Sequence, residues 1–341
     1  MQIGLLTGGG DCPGLNAAIR AVVKRGLGEY GHSIIGFRNG WKGVVNGDLV
    51  PLTRDKIRNT LPEGGTILGT ARYHPTKENG GIDAVMQVLE QERIEALICI
   101  GGDGTLHAAS EVAAAGVKIV AIPKTIDNDV WGTDQSIGYH TAVNIATEAI
   151  DRIHTTAESH NRVMVVEVMG RTAGWIAVNA GIAGGAEIVL APEEPFDMDR
   201  IVRFLTHRHR SHASFSIIVV AEGAQAVAGS SFEYTTETGK YGEIIGGAVG
   251  AAVSHEIAAR TGFDTRLTVL GHVQRGGSPT PTDRILGSRF GVAAVDAIVA
   301  GKSDVMTALI GEHVELVSLQ DIAGKVKTVP TELLQVARAL A

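Results

Sequence analysis

Short unbroken apolar runs alternate along the chain with stretches in which apolar residues recur every three or four positions. Residues 3–7 read as a strand that ends in Gly8-Gly9-Gly10-Asp11, and Leu15, Ile19, Val22, Val23 and Leu27 then fall on one helical face. Residues 94–100 repeat the scheme, ending in Gly101-Gly102-Asp103-Gly104-Thr105 ahead of an Ala-rich helix. Residues 120–122 end in Pro123-Lys124-Thr125-Ile126-Asp127-Asn128-Asp129, a long helix runs from Tyr139 to about 159, and 163–168 end in Met169-Gly170-Arg171. Further strands are expected at 188–190, 216–221 and 267–270, while 225–241 is polar and reads as a surface excursion or a hairpin. Continuous Val/Ile/Leu strands separated by helices predict parallel sheets covered on both faces, an α/β fold. In such folds ligands bind beyond the carboxyl ends of the strands, so the turns are where chemistry is expected.

Each turn has a structural reading beside a functional one. The glycines at 8–10 and 101–104 either make tight turns or let backbone N–H groups approach an anion. Asp103 either caps the next helix or supplies the hard oxygen that Mg²⁺ prefers beside a phosphate. Asp127 and Asp129 either form an Asx-rich turn or divide proton transfer and positioning between them. Arg72 and Lys77, and Arg162, Arg171, Arg266, His272 and Arg275 near strand ends, are surface charges if taken singly and phosphate donors if taken together. Glu222 either starts a helix or accepts from hydroxyl groups. His207, His209 and His212 do not share a helical face and make no metal site, and Gly301-Lys302-Ser303 lacks the glycine that a Walker A loop needs at 296.

Composition narrows the class. The 341 residues are 44% hydrophobic and 20% charged, enough for a large core and about two domains. A net charge of −7 argues against a nucleic-acid partner. Two cysteines, Cys12 and Cys99, outside any CxxC pair argue against a disulfide scaffold or structural zinc and suit packing roles. The absence of a long apolar run or a leader pattern predicts a cytoplasmic protein with no membrane partner.

Taken together, GGGDCPGLN at 8–16, LGTAR at 68–72, GGDGT at 101–105, PKTIDND at 123–129, HNR at 160–162, MGR at 169–171, AEG at 221–223 and TVLGHVQRGGSP at 268–279 make the chain resemble the 6-phosphofructokinases over nearly its whole length. The resemblance implies two Rossmann-like three-layer α/β domains with the active site in the cleft between them. Residues 1–140 plus 274–306 would form the donor domain, and 141–273 plus 307–341 the fructose 6-phosphate domain. It implies phosphoryl transfer to the 1-hydroxyl of fructose 6-phosphate, with Asp127 as general base, Asp129 as its companion carboxylate and Thr125 as a donor to the moving phosphoryl group. Asp103 would be the Mg²⁺ carboxylate. Gly10, Arg72, Tyr73, Gly102, Gly104, Thr105 and Lys124 would lie on the donor side, with Trp41 and Lys77 as weaker matches. Met169, Gly170, Arg171, Glu222, His272 and Arg275 would line the sugar-phosphate pocket. Arg162 and Arg266 would come from a neighbouring subunit, which implies a homodimer or homotetramer with shared active sites.

Two positions bear on the donor. The resemblance links Gly104 to ATP use, since a carboxylate there would crowd and repel the α-phosphate, and Lys124 to pyrophosphate use. Weighting Gly104 more heavily, because a flexible lysine can swing aside, gives ATP as the expected donor and pyrophosphate as the alternative. The resemblance also implies an effector site in which Arg25, Arg54 and Glu187 fit but His154 and Ser211 replace expected basic residues, so weak or altered allostery is expected. A sugar-phosphate sensor need not keep Asp127, and a dinucleotide-dependent oxidoreductase would need a GxGxxG turn that is missing.

Overall fold

Runs of Val, Ile and Leu without polar interruption are stable only when covered on both faces, and in the computed structural model they form the centres of two sheets. The structure describes residues 1–340 apart from 212–214, 231, 233, 236–237, 240–243, 245 and 323. In chain order the strands are β1 (Gln2–Thr7), β2 (Ser33–Phe37), β3 (Leu49–Pro51), β4 (Ala96–Gly101), β5 (Ile119–Pro123), β6 (Val163–Val168), β7 (Ile188–Leu190), β8 (Ser216–Ala221), β9 (Thr265–Val269), β10 (Val305–Ile310) and β11 (His313–Ser318).

The chain divides into two compact units. The first takes residues 1–141 and 275–327, and its sheet has the order β11-β10-β5-β4-β1-β2-β3. Strands β1, β2, β4, β5 and β10 run parallel, and the antiparallel β3 and β11 close the two edges. From β1 the chain winds outward through β2 and β3, and from β4 it winds the other way. The β1–β4 boundary is therefore the switch point where parallel α/β sheets open a ligand crevice. The core holds Leu6, Phe37, Trp41, Leu97, Cys99 and Ala121.

The second unit takes 142–274 and the chain from Thr328 onward, around the parallel sheet β7-β8-β6-β9. Its long helix is Tyr139–His160. The boundary expected at 306 falls inside β10, and pairing with β5 and β11 keeps the chain in the first unit to Lys327. The expected excursion at 225–241 lies partly outside the described residues, as does His212. His209 stacks on Phe263 with ring centroids 4.5 Å apart. Gly301, with φ 72°, is a turn residue just past the helix Pro281–Val299. Both cysteines are buried, and Cys12, its thiol pushed up to about 12 by burial, packs against Gly138. Among the described residues no helix is long and apolar enough to cross a membrane.

Candidate active site

In the first unit, the turns after β1, β4 and β5 meet because their strands are neighbours. Thr105 wedges between the two glycine turns. A Cβ on Gly8 would lie 2.6 Å from its Oγ1, and one on Gly101 would lie 2.3 Å from its Cβ. Lys124 is only 2% exposed, and its ammonium donates to the carbonyls of Gly8, at 3.0 Å, and Gly10. Its backbone N–H bonds to the Gly101 carbonyl at 2.9 Å. Burial lowers its pKa, opposed by the Asp11 and Asp127 charges. The expectation that this lysine can swing aside is therefore overturned: its head group is enclosed and bonded to the first turn. Arg275 also reaches that turn. Its Nη1 would be 2.7 Å from a Cβ on Gly10 and is 3.4 Å from the Asp11 carbonyl.

Not every N–H of the first turn faces outward, since Gly8 donates to Ile100 and Gly9 to Ala71. The helix Asp103–Ala114 starts right after the second turn, with Gly102 as its N-cap. Asp103 and Gly104 are exposed in its first turn, where N–H groups lack helical acceptors. A Cβ on Gly104 would meet nothing within 4 Å. Arg72 and Lys77 are exposed, while Tyr73 leans on the core, where burial raises its pKa. Trp41 is buried, and its indole donates to the Thr105 carbonyl at 3.3 Å.

The turn after β5 is braced from behind. Asn128 has φ 53° and is buried. Its side chain accepts from the Ser136 N–H at 3.0 Å, and the Ser136 hydroxyl donates to the Thr125 carbonyl at 2.7 Å. Thr125 Oγ1 accepts from the Asp127 N–H at 3.1 Å and donates to Asp127 Oδ2 at 3.3 Å. Asp127 is 3% exposed, and its buried Oδ1 has no hydrogen-bond partner among the described residues. Asp129 is buried beside Lys327, whose N–H donates to the Asp129 carbonyl at 2.8 Å. The Lys327 ammonium donates to the carbonyls of Thr133 and Asp134 at 2.8 and 2.7 Å. Burial brings its pKa down to about 8, with Asp134 and Asp129 pulling the other way. Asn128 lies within the 123–129 turn read from the sequence but has no role of its own in that reading, and Ser136 and Lys327 escaped sequence reasoning; Ser136 carries no motif signal, and Lys327 lies far along the chain.

In the second unit, Met169-Gly170-Arg171, Glu222 and Gly271-His272 follow the carboxyl ends of the adjacent strands β6, β8 and β9. Glu222 Oε1 accepts from the N–H groups of Gly170 and Arg171 at 3.2 and 2.9 Å. Glu222 thus shapes the 169–171 turn, in which Arg171 takes φ 53°. His272 is exposed. Arg162 and Arg266 are placed elsewhere. Both ion-pair with Asp264, at 2.6 and 2.5 Å, at the amino ends of β6 and β9. A six-residue strand separates them from Gly170 and Arg171, about 20 Å at 3.3 Å per residue.

Three of the other positions singled out earlier are engaged within the chain, and Arg54 is exposed. Arg25 bonds Asp296 at 2.7 Å, Glu187 bonds Arg208, and His154 packs edge-on to Phe215.

The sequence profile of the family described as phosphofructokinase matches residues 2–298. A pyrophosphate–fructose 6-phosphate 1-phosphotransferase of Amycolatopsis mediterranei is 50% identical over 99% of this chain and 98% of its own length. An ATP-dependent 6-phosphofructokinase of Corynebacterium efficiens is 47% identical over 100% of this chain and 99% of its own. Among solved structures, Pichia pastoris phosphofructokinase in the T-state superposes with a TM-score of 0.84 at 32% identity. The match covers 99% of this chain but 36% of that one, so the chain spans about a third of the Pichia protein's length. A pyrophosphate-dependent phosphofructokinase from Nitrosospira multiformis, 22% identical, shares the fold with a TM-score of 0.85 over 99% of this chain and 91% of its own.

Proposed function

The chain belongs to the phosphofructokinase family, and on that footing we propose that it transfers a phosphoryl group from ATP to the 1-hydroxyl of fructose 6-phosphate. The observation that carries the chemistry is the carboxylate of Asp127. Thr125 holds one of its oxygens, and the other is buried with its hydrogen-bonding capacity unused. An oxygen so placed accepts the proton of a substrate hydroxyl, and Thr125 keeps it oriented. Phosphoryl transfer depends on positioning and charge neutralisation more than on covalent catalysis. The first turn of the helix Asp103–Ala114 and the glycine turn at 8–10 suit the donor phosphates. Asp103, an exposed carboxylate between two glycines, fits Mg²⁺, which takes one or two protein carboxylates and the rest of its ligands from phosphate and water. When bound there, Mg²⁺ neutralises charge on the phosphates. Met169, Gly170, Arg171, Glu222 and His272 form the sugar-phosphate side in this reading, and Arg275 stands at the donor turn.

The open space at Gly104 favours ATP, because it leaves room for an α-phosphate. A second reading, pyrophosphate as donor, draws on Lys124, whose enclosed ammonium puts positive charge under the 8–10 turn and suits a short, densely charged donor. The names of the relatives divide between the two donors at nearly equal identity. The test supplies fructose 6-phosphate and Mg²⁺ with either donor in a coupled fructose 1,6-bisphosphate assay. Turnover with pyrophosphate and none with ATP would reject the ATP reading. The substitution Gly104→Asp has room to fold and, under the ATP reading, cuts turnover with ATP far more than any turnover with pyrophosphate.

We also propose that Arg162 and Arg266 serve the sugar-phosphate site of a second copy of the chain. They stand at the opposite ends of the strands from Arg171, too far to share a phosphate with it, so the reading requires a homodimer or homotetramer.

A further inference from the structure

We propose that His74, His107 and Glu111 form a binding site for a borderline divalent cation of the zinc class. His107 and Glu111 stand one turn apart on the helix Asp103–Ala114, and His74 comes from the loop that follows Arg72 and Tyr73. Each offers one ligand atom, and the three atoms lie within 4.8 Å of one another. His107 Nε2 is 3.6 Å from Glu111 Oε1, and the His74 ring lies beside the same carboxylate, with Nδ1, the nitrogen that faces Thr76, 3.9 Å from Oε2. Ligand atoms on a tetrahedral zinc stand about 3.3 Å apart, given metal–ligand distances near 2.0–2.1 Å. The half-exposed side chains of His107 and Glu111 reach that spacing by small rotations.

The surroundings favour the ligand forms. The Thr76 hydroxyl gives its single proton to Glu111 and so accepts from His74 Nδ1–H, at 2.8 Å. That leaves the His74 Nε2 lone pair for a metal and fixes the ring against its partner, the usual arrangement of a metal-ligating imidazole. Two imidazoles and one carboxylate select zinc, cobalt, nickel or copper over Mg²⁺, which prefers an all-oxygen shell. Three protein ligands leave one coordination position to water. Asp103 lies one turn before His107, so an ion here would tie the 72–77 loop to the helix that carries the Mg²⁺ carboxylate.

The test is direct binding to the full-length protein, independent of turnover. Zn²⁺ is titrated against a chromophoric chelator in millimolar Mg²⁺, and Co²⁺ is added as a visible-absorption probe. One Zn²⁺ per chain is expected, with a Co²⁺ d–d band. His107→Ala, Glu111→Gln and His74→Ala should each weaken binding beyond the roughly 10- to 100-fold lost when only a ligand's hydrogen-bond partner is removed. His313→Ala, on the exposed end of β11, should leave it unchanged. His107 is exposed, so its variant tests the site without disturbing the core. No stoichiometric binding, or binding indifferent to the three substitutions, overturns the proposal.

Discussion

Asp127 has one carboxylate oxygen on Thr125 and one without a partner among the described residues, which separates its role from that of a structural turn residue. Asp127→Ala is expected to lower kcat by about 10²–10⁴-fold, the usual worth of a positioned base, with little change in KM for fructose 6-phosphate. Steady-state kinetics checks this, and an unchanged kcat would end the assignment. The turn residues were legible because strand-ending glycines and carboxylates are rare together and announce themselves in one dimension. Their support was not. Asn128 in the left-handed region, Ser136 behind it and Lys327 beside Asp129 reveal themselves only once the backbone has folded. Lys124 shows the opposite failure: its presence was plain, but a sequence cannot tell a swinging lysine from one bonded to two carbonyls.

At the scale of elements, close approach governs which glycines are needed. A Cβ at Gly101 would intrude on Thr105 at 2.3 Å, and one at Gly104 would touch nothing. Gly101→Ala should destabilise the protein by about 1–3 kcal/mol through overpacking. Gly104→Ala, inside a helix and with no positive φ to lose, should be neutral or gain up to about 1 kcal/mol. Urea midpoints at unchanged m-value compare the two. The tie between Lys327 and the 129–134 loop adds a pH signature. Its folded pKa of about 8 is below the ordinary 10.5, so between those values the unfolded chain holds more protons and stability from this group rises with pH. Below about pH 8 both states are protonated and the burial cost is fully present. The difference in unfolding free energy between the protein and Lys327→Met should therefore shift in favour of the unsubstituted protein from pH 8 to 10. A flat difference would remove Lys327 from that role. Two of the strands missed in the sequence lack a continuous apolar run. β2 is broken by Gly36, and β11 alternates apolar with polar residues as an edge strand does.

At the scale of the whole molecule, the sheet of the second unit carries arginines at one end and the Gly170–Arg171 turn at the other. If each end serves a different copy, two inactive variants should rescue each other. Arg162→Ala and Asp127→Ala, each inactive alone, are expected to regain part of the wild-type rate when unfolded and refolded together, read in the coupled assay. No recovery in mixed oligomers confirmed by sedimentation would show that the sites are not shared. The chain path between units has a consequence for synthesis. β10 completes the first sheet against β5, yet all of 142–274 is translated in between. On the ribosome, at about 5–20 residues per second, the inserted unit has nearly all its chain while β5 still presents a bare edge. The first unit to begin emerging is thus the one whose sheet must wait for its last strands, and chaperones that shield unpaired edges have their longest opportunity there.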